Sequence, residues 1–317
     1  MIEARGLTKR YGPTIAVDGL SFRICPGLVT GFLGPNGAGK TTTIRLILGL
    51  DYPTAGTVTV NGEPYPLLAS PMREVGALLD AKAVPGGRSA RSHLLSLAQT
   101  NGIPRRRVDE VLGIVGLSDV AGKRSKGYSL GMSQRLGIAA TLLGDPQILV
   151  FDEPVNGLDP EGILWIRTLM RSLAAEGRTV FVSSHLMSEM EHTADHVIVI
   201  GRGRLIADCS MAEFIARSSG QAIVVRTPQP DALARAVAVA GGASARAADT
   251  EPGELEVSGL TEERIGDLAF AHGVRLHHLA PSRASLEQAF MELTADSVEY
   301  YAGRPEARRP AYTGMEN

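Results

Sequence analysis

One short segment constrains this chain more than any other: the glycine-rich loop Gly34–Thr41, which follows an apolar run and precedes a helical pattern. It matches G-x-x-x-x-G-K-[ST], in which glycines let successive backbone N–H groups point at phosphate oxygens. The helix that follows adds its N-terminal dipole. In this pattern Lys40 reaches the β- and γ-phosphates of a nucleotide, and the Thr41 hydroxyl binds Mg²⁺. The alternative, a glycine-rich turn with a chance lysine, does not account for the flanking strand and helix.

A second, acidic element supplies the further Mg²⁺ anchor that such a loop needs. The apolar run Ile148–Phe151 ends at Asp152 and Glu153. Asp152 is predicted to hold the metal, directly or through water, and Glu153 to act as general base toward the attacking water. Two acids at the end of a strand are common by themselves. Paired with the glycine-rich loop, they predict a nucleotide site.

Composition excludes several classes of protein but names no function. The 317 residues carry a net charge of −2, with 44% apolar and 21% charged residues, as an ordinary globular protein does. No stretch approaches the roughly 20 apolar residues that cross a bilayer, and the start lacks the apolar core of a signal peptide, so a cytoplasmic location is predicted. Cys25 and Cys209 make no disulfide framework and are predicted to be buried free thiols. The charge offers no electrostatic argument for nucleic acid.

Apolar periodicity divides the chain into a larger and a smaller part. Residues 1–219 alternate β-branched runs with amphipathic helices, which predicts an α/β fold with a mostly parallel buried sheet. Between about 85 and 145 the spacing turns helical and predicts a helical insert. Residues 220–296 read as a small α+β accessory domain, and residues 297–317 as a disordered tail. In the accessory domain, strands are predicted at Gln221–Arg226 and Glu254–Val257, and helices at Asp231–Ala240, Thr261–Ala271 and Ser285–Leu293.

Further motifs carry a family resemblance. The segment Tyr128–Arg135 resembles the signature motif of ATP-binding cassette (ABC) ATPases, Asn156–Pro160 their D-loop, and Ser183–His185 their switch histidine. Tyr11 matches the aromatic residue that stacks on adenine. The resemblance covers about residues 1–215 and implies the P-loop cassette fold with a helical subdomain, ATP and Mg²⁺ as ligands, and ATPase activity.

The resemblance also implies a role for each matching residue. Glu153 and His185 are the expected catalytic pair, and Thr41, Asp152 and Asp80 the expected metal ligands. The residues expected to bind the nucleotide are Tyr11, Gly34, Pro35, Asn36, Gly37, Ala38, Gly39, Lys40, Thr41, Thr42, Ser129, Gly131 and Asp159.

Three positions depart from the family pattern. Leu130 replaces the first glycine of the signature and Met132 its glutamine, while the Ser129 hydroxyl and the Gly131 N–H remain available for an anion. Asp80 stands where the family has the Q-loop glutamine, and a carboxylate accepts hydrogen bonds but cannot donate them. Acidic residues here resemble the bacteriocin and lantibiotic branch of the family.

The C-terminal segment Leu286–Thr294 is similar to the appendix of bacterial ABC-2-type exporter ATPases, those of antibiotic self-resistance above all. This resemblance implies two copies in a head-to-tail ATP sandwich that energise a separately encoded membrane permease. Export of a drug, antibiotic or peptide is the implied transport, and the implied location is the inner face of the cell membrane. No nucleic acid is expected as a partner.

Two other functions compete with transport. The first is a soluble, non-transport ABC ATPase that acts in translation or DNA repair. Translation factors of this kind resemble two cassettes in one chain, whereas one is recognised here. The DNA-repair type has a long coiled coil between the phosphate loop and the acidic strand, and this sequence shows none. The second is a P-loop kinase or GTPase, which would leave the signature segment and His185 unexplained and predicts an Asn-Lys-x-Asp motif that the chain lacks. A neighbouring reading frame with about six apolar spans would favour transport.

Overall fold

Three β-sheets organise the part of the chain that the computed structural model describes, namely residues 1–80, 83–185, 187–218, 222–240, 244–247, 253–281 and 290. The sheets have six, three and four strands. Among the described residues, no helix has the length and apolar character required to cross a bilayer.

The six-stranded sheet carries the strand that leads into the glycine-rich loop. In spatial order its strands are β5 (Val75–Leu78), β6 (Ile148–Asp152), β7 (Thr179–Ser184), β3 (Val29–Leu33), β8 (His196–Gly201) and β9 (Arg204–Ser210). All neighbours pair in parallel except β8 and β9. β3, β6 and β7 are buried at every position, because both faces of the sheet are covered. Their carboxyl ends meet at one edge, so the loops that follow them lie together.

An antiparallel sheet near the N-terminus was not predicted from the sequence. It has the order β2 (Thr14–Ile24), β1 (Ile2–Tyr11) and β4 (Ala55–Val60). The register of β1 against β2 shifts at three points, which interrupts the simple alternation that marks a strand. Helix α1 (Lys40–Ile47) buries Ile44 and Ile47 in one apolar cluster with residues of both sheets.

The helical insert lies where the spacing predicted it. It contains α3 (Ala90–Thr100), α4 (Arg105–Ile114) and α5 (Leu130–Leu142), whose buried faces join the main apolar core. The other helices of the larger part are α2 (Pro71–Glu74), α6 (Pro160–Ala175), α7 (Met187–Glu191) and α8 (Met211–Ser218).

The C-terminal part forms a β-α-β-β-α-β unit with its own apolar core, which includes Val225, Leu233 and Ile265. Its sheet is antiparallel in the order β11-β12-β10-β13. The short strands β11 and β13 were missed in the sequence. The elements are β10 (Ala222–Arg226), α9 (Pro230–Val239), β11 (Ser244–Ala247), β12 (Glu254–Ser258), α10 (Glu262–Ala271) and β13 (His278–Pro281).

Two further predictions have different outcomes. Cys209 is buried as expected, but the prediction for Cys25 was wrong, because this residue is exposed where β2 ends. The helix predicted at Ser285–Leu293 and the tail 297–317 lie outside the described residues, apart from Phe290. Phe290 is buried in the same apolar cluster as Phe214 of α8.

Candidate functional site

The glycine-rich loop connects β3 to α1, and its backbone leaves no room for side chains at two positions. A Cβ at Gly34 would lie 2.6 Å from the Ile200 carbonyl oxygen. A Cβ at Gly39, where φ is +102°, would lie 2.4 Å from the Ala16 carbonyl oxygen. Glycine is therefore required at both positions for the loop to curl in front of α1.

The loop borders a cavity of about 300 Å³ that also reaches Glu153. The nucleotide-binding residues predicted within the loop and at the start of α1 lie on it or beside it. Its lining residues are Ala16, Pro35, Asn36, Gly37, Gly39, Lys40, Thr41, Thr42 and Glu153.

Lys40 is a buried cation at this cavity. Its ammonium donates hydrogen bonds to the carbonyl oxygens of Gly34 at 2.6 Å and Pro35 at 3.3 Å. Burial lowers the pKa of Lys40, and the nearby carboxylates of Glu153 and Asp152 oppose that shift. The site thus holds a positive charge that is poorly solvated and available to an anion.

The predicted metal ligands Thr41 and Asp152 are in direct contact. The Thr41 hydroxyl donates to Asp152 Oδ2 at 3.0 Å, and the Ser183 hydroxyl donates to Asp152 Oδ1 at 2.5 Å. A hydroxyl and a carboxylate are the hard oxygen donors that Mg²⁺ prefers, so this pair fits the ion. Among the described residues, no group of three or more His, Cys, Asp or Glu side chains offers another metal site.

The predicted catalytic residues also meet. His185 Nδ1 lies 2.7 Å from Glu153 Oε2. Glu153 has a φ of +52°, a left-handed conformation that is unfavourable for a side chain of this size. Its backbone N–H donates to the Ser183 hydroxyl at 3.0 Å, which holds that turn in place.

Ser183 was missed as a site residue, although it lies within the motif that contains His185. The parallel register pairs Ser183 of β7 with Asp152 of β6. Its hydroxyl donates to the Asp152 carboxylate and accepts from the Glu153 backbone N–H. One side chain therefore positions the carboxylate of Asp152 and the backbone of Glu153. The sequence offers no signal for this role, because it depends on the register between β6 and β7.

The predicted signature residues do not line the phosphate-loop cavity of their own chain. Ser129 caps α5, accepting a hydrogen bond from the Met132 N–H at 3.2 Å. Asp159 caps α6 in the same way, accepting from the Gly162 N–H at 2.9 Å. Both side chains therefore serve as N-terminal helix caps, and neither lines the phosphate-loop cavity.

The start of α5 packs against the segment that follows Glu153. The buried Gln134 amide donates to the Pro154 carbonyl oxygen at 2.8 Å. A Cβ at Gly157 would lie 2.2 Å from the Leu130 side chain, so leucine at this unusual position contacts the D-loop backbone directly. Sequence reasoning did not assign Gln134 a role, because the spacing of the motif does not show what its amide faces.

Tyr11 lies at the end of β1 and remains 46% exposed. Its hydroxyl donates to Asp51 Oδ2 at 2.9 Å. Partial burial, followed by the Asp51 carboxylate, raises the pKa of Tyr11.

Asp80 is exposed and lines a different cavity, of about 340 Å³, together with Leu48, Tyr65 and His93. It is not part of the lining of the phosphate-loop cavity. Its role as a metal ligand stays a prediction, because Asp80 lines a different cavity from Thr41.

Two family profiles match the sequence. The family described as ABC transporter matches residues 17–156, which span the phosphate loop, the signature segment and the acidic pair. A domain of unknown function (DUF8746) matches residues 221–287.

Curated relatives extend the similarity. The chain is 44% identical to the bacitracin transport ATP-binding protein BcrA of Bacillus licheniformis, over 66% of this chain and 69% of that protein. It is 35% identical to the Nod factor export ATP-binding protein I of Burkholderia orbicola (strain AU 1054), over 94% of this chain and 98% of that protein.

A solved structure, described as that of an ATP binding subunit of an ABC transporter, has a TM-score of 0.63 with this chain at 25% identity. The match covers 68% of this chain and 92% of the other.

Proposed function

The chain belongs to the ABC transporter family of ATP-binding subunits, and from this premise we propose that two copies enclose two ATP molecules head to tail and drive a separate membrane permease. The fold and the ATPase class predicted from the motifs are confirmed by this membership.

The observation that carries the proposal is the contact between the phosphate loop and the acidic strand end. Thr41 bonds Asp152, and Glu153 and His185 form a pair beside the same cavity. In this assignment Lys40 exchanges its carbonyl partners for the β- and γ-phosphate oxygens. A Mg²⁺ ion held by Thr41 and Asp152 would neutralise phosphate charge.

Hydrolysis is assigned to Glu153. Its carboxylate accepts a proton from the water that attacks the γ-phosphate, and His185, hydrogen-bonded to Glu153, helps to orient it. Ser183 fixes the turn that presents Glu153. His185 is 45% exposed, so it can contact a phosphate from the open side of the cavity.

A second copy supplies what one chain does not bring to its own phosphate loop. Ser129 accepts a hydrogen bond from its own helix, which leaves its O–H free to donate, and the Gly131 N–H lies at the start of α5. Such a helix start suits a phosphate. We assign these two groups, with Asp159 at the start of α6, to the ATP bound by the other subunit.

Export of a drug, antibiotic or peptide by the permease is supported by the relatives named for bacitracin transport and Nod factor export. The permease places the complex at the inner face of the cell membrane. The competing function, a non-transport ATPase, is disfavoured by these relatives.

Transport is tested with the affinity-tagged chain purified from detergent-solubilised membranes. A co-purifying protein with several membrane spans is expected, and inverted vesicles that contain both proteins should take up bacitracin when ATP is added. Vesicles with the Glu153→Gln variant serve as the control and should not. Failure to recover any multi-span protein, with the chain found instead on ribosomes or DNA, would favour the competing function.

A further inference from the structure

A cluster of polar contacts joins Tyr11 to the helix that follows the phosphate loop. The Tyr11 hydroxyl donates to Asp51 Oδ2 at 2.9 Å, and Arg45 Nε donates to the same oxygen at 2.7 Å. Arg45 lies in the last turn of α1, and Asp51 lies just beyond its end. The aromatic ring is therefore tied to the C-terminal end of the helix whose N-terminal end borders the phosphate cavity.

The loop that carries Asp51 is bound along β1 by three further hydrogen bonds. Lys9 Nζ donates to the Tyr52 carbonyl oxygen at 2.7 Å, and the Arg10 N–H donates to Thr54 Oγ1 at 3.0 Å. The Thr54 N–H donates to the Thr8 carbonyl oxygen at 2.7 Å. These hydrogen bonds thus hold the end of β1 and the segment after α1 together.

Lys9 also occupies one side of the Tyr11 ring, with its ammonium 5.0 Å from the ring centroid. A cation over one face is attracted by the ring and leaves the opposite face for a stacking partner. Because 46% of Tyr11 is exposed, there is room for such a partner.

We propose that Asp51 and Arg45 are positioning residues that hold the Tyr11 ring at a set distance from the phosphate loop, so that the adenine of ATP can stack on it. The eight residues of α1 span about 12 Å, which sets the separation between the two ends of the nucleotide site. The inference rests on the proposed function, since it assumes that Tyr11 stacks on adenine. The new element is the pair of residues, Asp51 and Arg45, that orients the Tyr11 ring.

The test compares two ligands by titration calorimetry: MgATP and Mg-tripolyphosphate, which has no base. Tyr11→Ala should weaken MgATP binding about 5- to 150-fold, the loss of one base–aromatic stack. Tyr11→Phe and Asp51→Ala should each weaken it about two- to tenfold, the value of one hydrogen bond. Tripolyphosphate affinity should stay unchanged in all three variants.

The double variant Tyr11→Phe/Asp51→Ala should bind MgATP no more weakly than the weaker of the two single variants, because both remove the same contact. Glu3→Ala, which breaks a neighbouring ion pair on β1, is the matched control and should leave both affinities unchanged. Circular dichroism of each variant checks the fold.

Several outcomes would overturn the inference. MgATP affinity that stays at the wild-type value in Tyr11→Phe and Asp51→Ala, or additive losses in the double variant, would show that Asp51 does not position the ring. Equal losses for MgATP and tripolyphosphate would indicate a structural role. A wild-type chain that binds neither ligand would refute the proposed function itself.

Discussion

Lys40 directs its ammonium at the carbonyl oxygens of Gly34 and Pro35, within the loop that is assigned to phosphate. These neutral acceptors only partly replace the water lost on burial, which is why the pKa of Lys40 is lowered. A triphosphate would compensate the charge far better, so much of the free energy of ATP binding is expected to come from this one residue.

Lys40→Ala should therefore weaken MgATP binding by about a hundredfold or more, the loss of two charge-assisted hydrogen bonds. Binding is measured by titration calorimetry, with the exposed Lys123→Ala as the matched control. MgATP affinity equal to that of the wild type would show that the glycine-rich loop does not hold the phosphates.

Among single residues, those that belong to a motif of fixed spacing could be predicted from the sequence. Thr41, Asp152, Glu153 and His185 were all predicted, and the structure places them within one cluster. Ser183 was missed because its role depends on the register between β6 and β7, which the residue pattern does not contain.

At the scale of elements, α5 and the segment after Glu153 are joined by one buried hydrogen bond. Gln134 donates to the carbonyl oxygen of Pro154, the residue next to the proposed general base. Arg135 of α5 also stacks on Trp165 of α6, 4.6 Å from the ring centroid, so α5 contacts the helix that follows this segment as well. We therefore expect a movement of α5, the helix that begins in the signature segment, to change the position of Glu153.

Gln134→Leu should lower the free energy of unfolding by about 1–3 kcal/mol, because the Pro154 carbonyl is left buried without a donor. The ATPase rate should fall as well, because the turn that presents Glu153 loses a support. Urea unfolding and phosphate release measure the two effects. The exposed Gln99→Leu is the control, with a change within about 0.5 kcal/mol. A Gln134→Leu variant with wild-type stability and rate would contradict this role.

Elements buried on both faces were predictable, since β3, β6 and β7 are continuous apolar runs. The N-terminal sheet was not, because its strands have one polar face and its register shifts remove the period of two. The short strand β11 has the sequence Ser-Ala-Arg-Ala, so alanine is its only apolar residue type and its apolar signal is weak.

At the scale of the whole molecule, Phe290 links the C-terminal segment to the main core. It is 8% exposed within the cluster that contains Phe214. The division of the chain near residue 220 remains a proposal, supported by the separate apolar core of the C-terminal sheet. Loss of the C-terminal part would also remove a side chain from the core of the larger part.

Phe290→Ala should lower the free energy of unfolding by about 3–5 kcal/mol, as truncation of a buried phenylalanine does. Phe270→Ala is the matched control, because Phe270 is 91% exposed, and it should change stability by less than about 0.5 kcal/mol. Both variants are measured by chemical unfolding, and equal effects would refute the packing of Phe290 in the core.

A chain ending at Gly220 should still bind MgATP with nearly unchanged affinity, since every assigned nucleotide residue precedes that point. Its thermal midpoint should be lower than that of the full chain because Phe290 is absent. Loss of ATP binding in a truncated chain that remains folded would place part of the nucleotide site in the C-terminal sheet.

Glu153 is proposed to activate water for ATP hydrolysis at a site closed by a second copy of the chain. The most direct measurement follows phosphate release and light scattering of Glu153→Gln in MgATP, beside the wild type and the exposed Glu63→Gln control. We predict hydrolysis about 10²- to 10⁴-fold slower in Glu153→Gln, MgATP affinity retained, and a stable ATP-dependent dimer. Hydrolysis near the wild-type rate in that variant would show that Glu153 is not the general base.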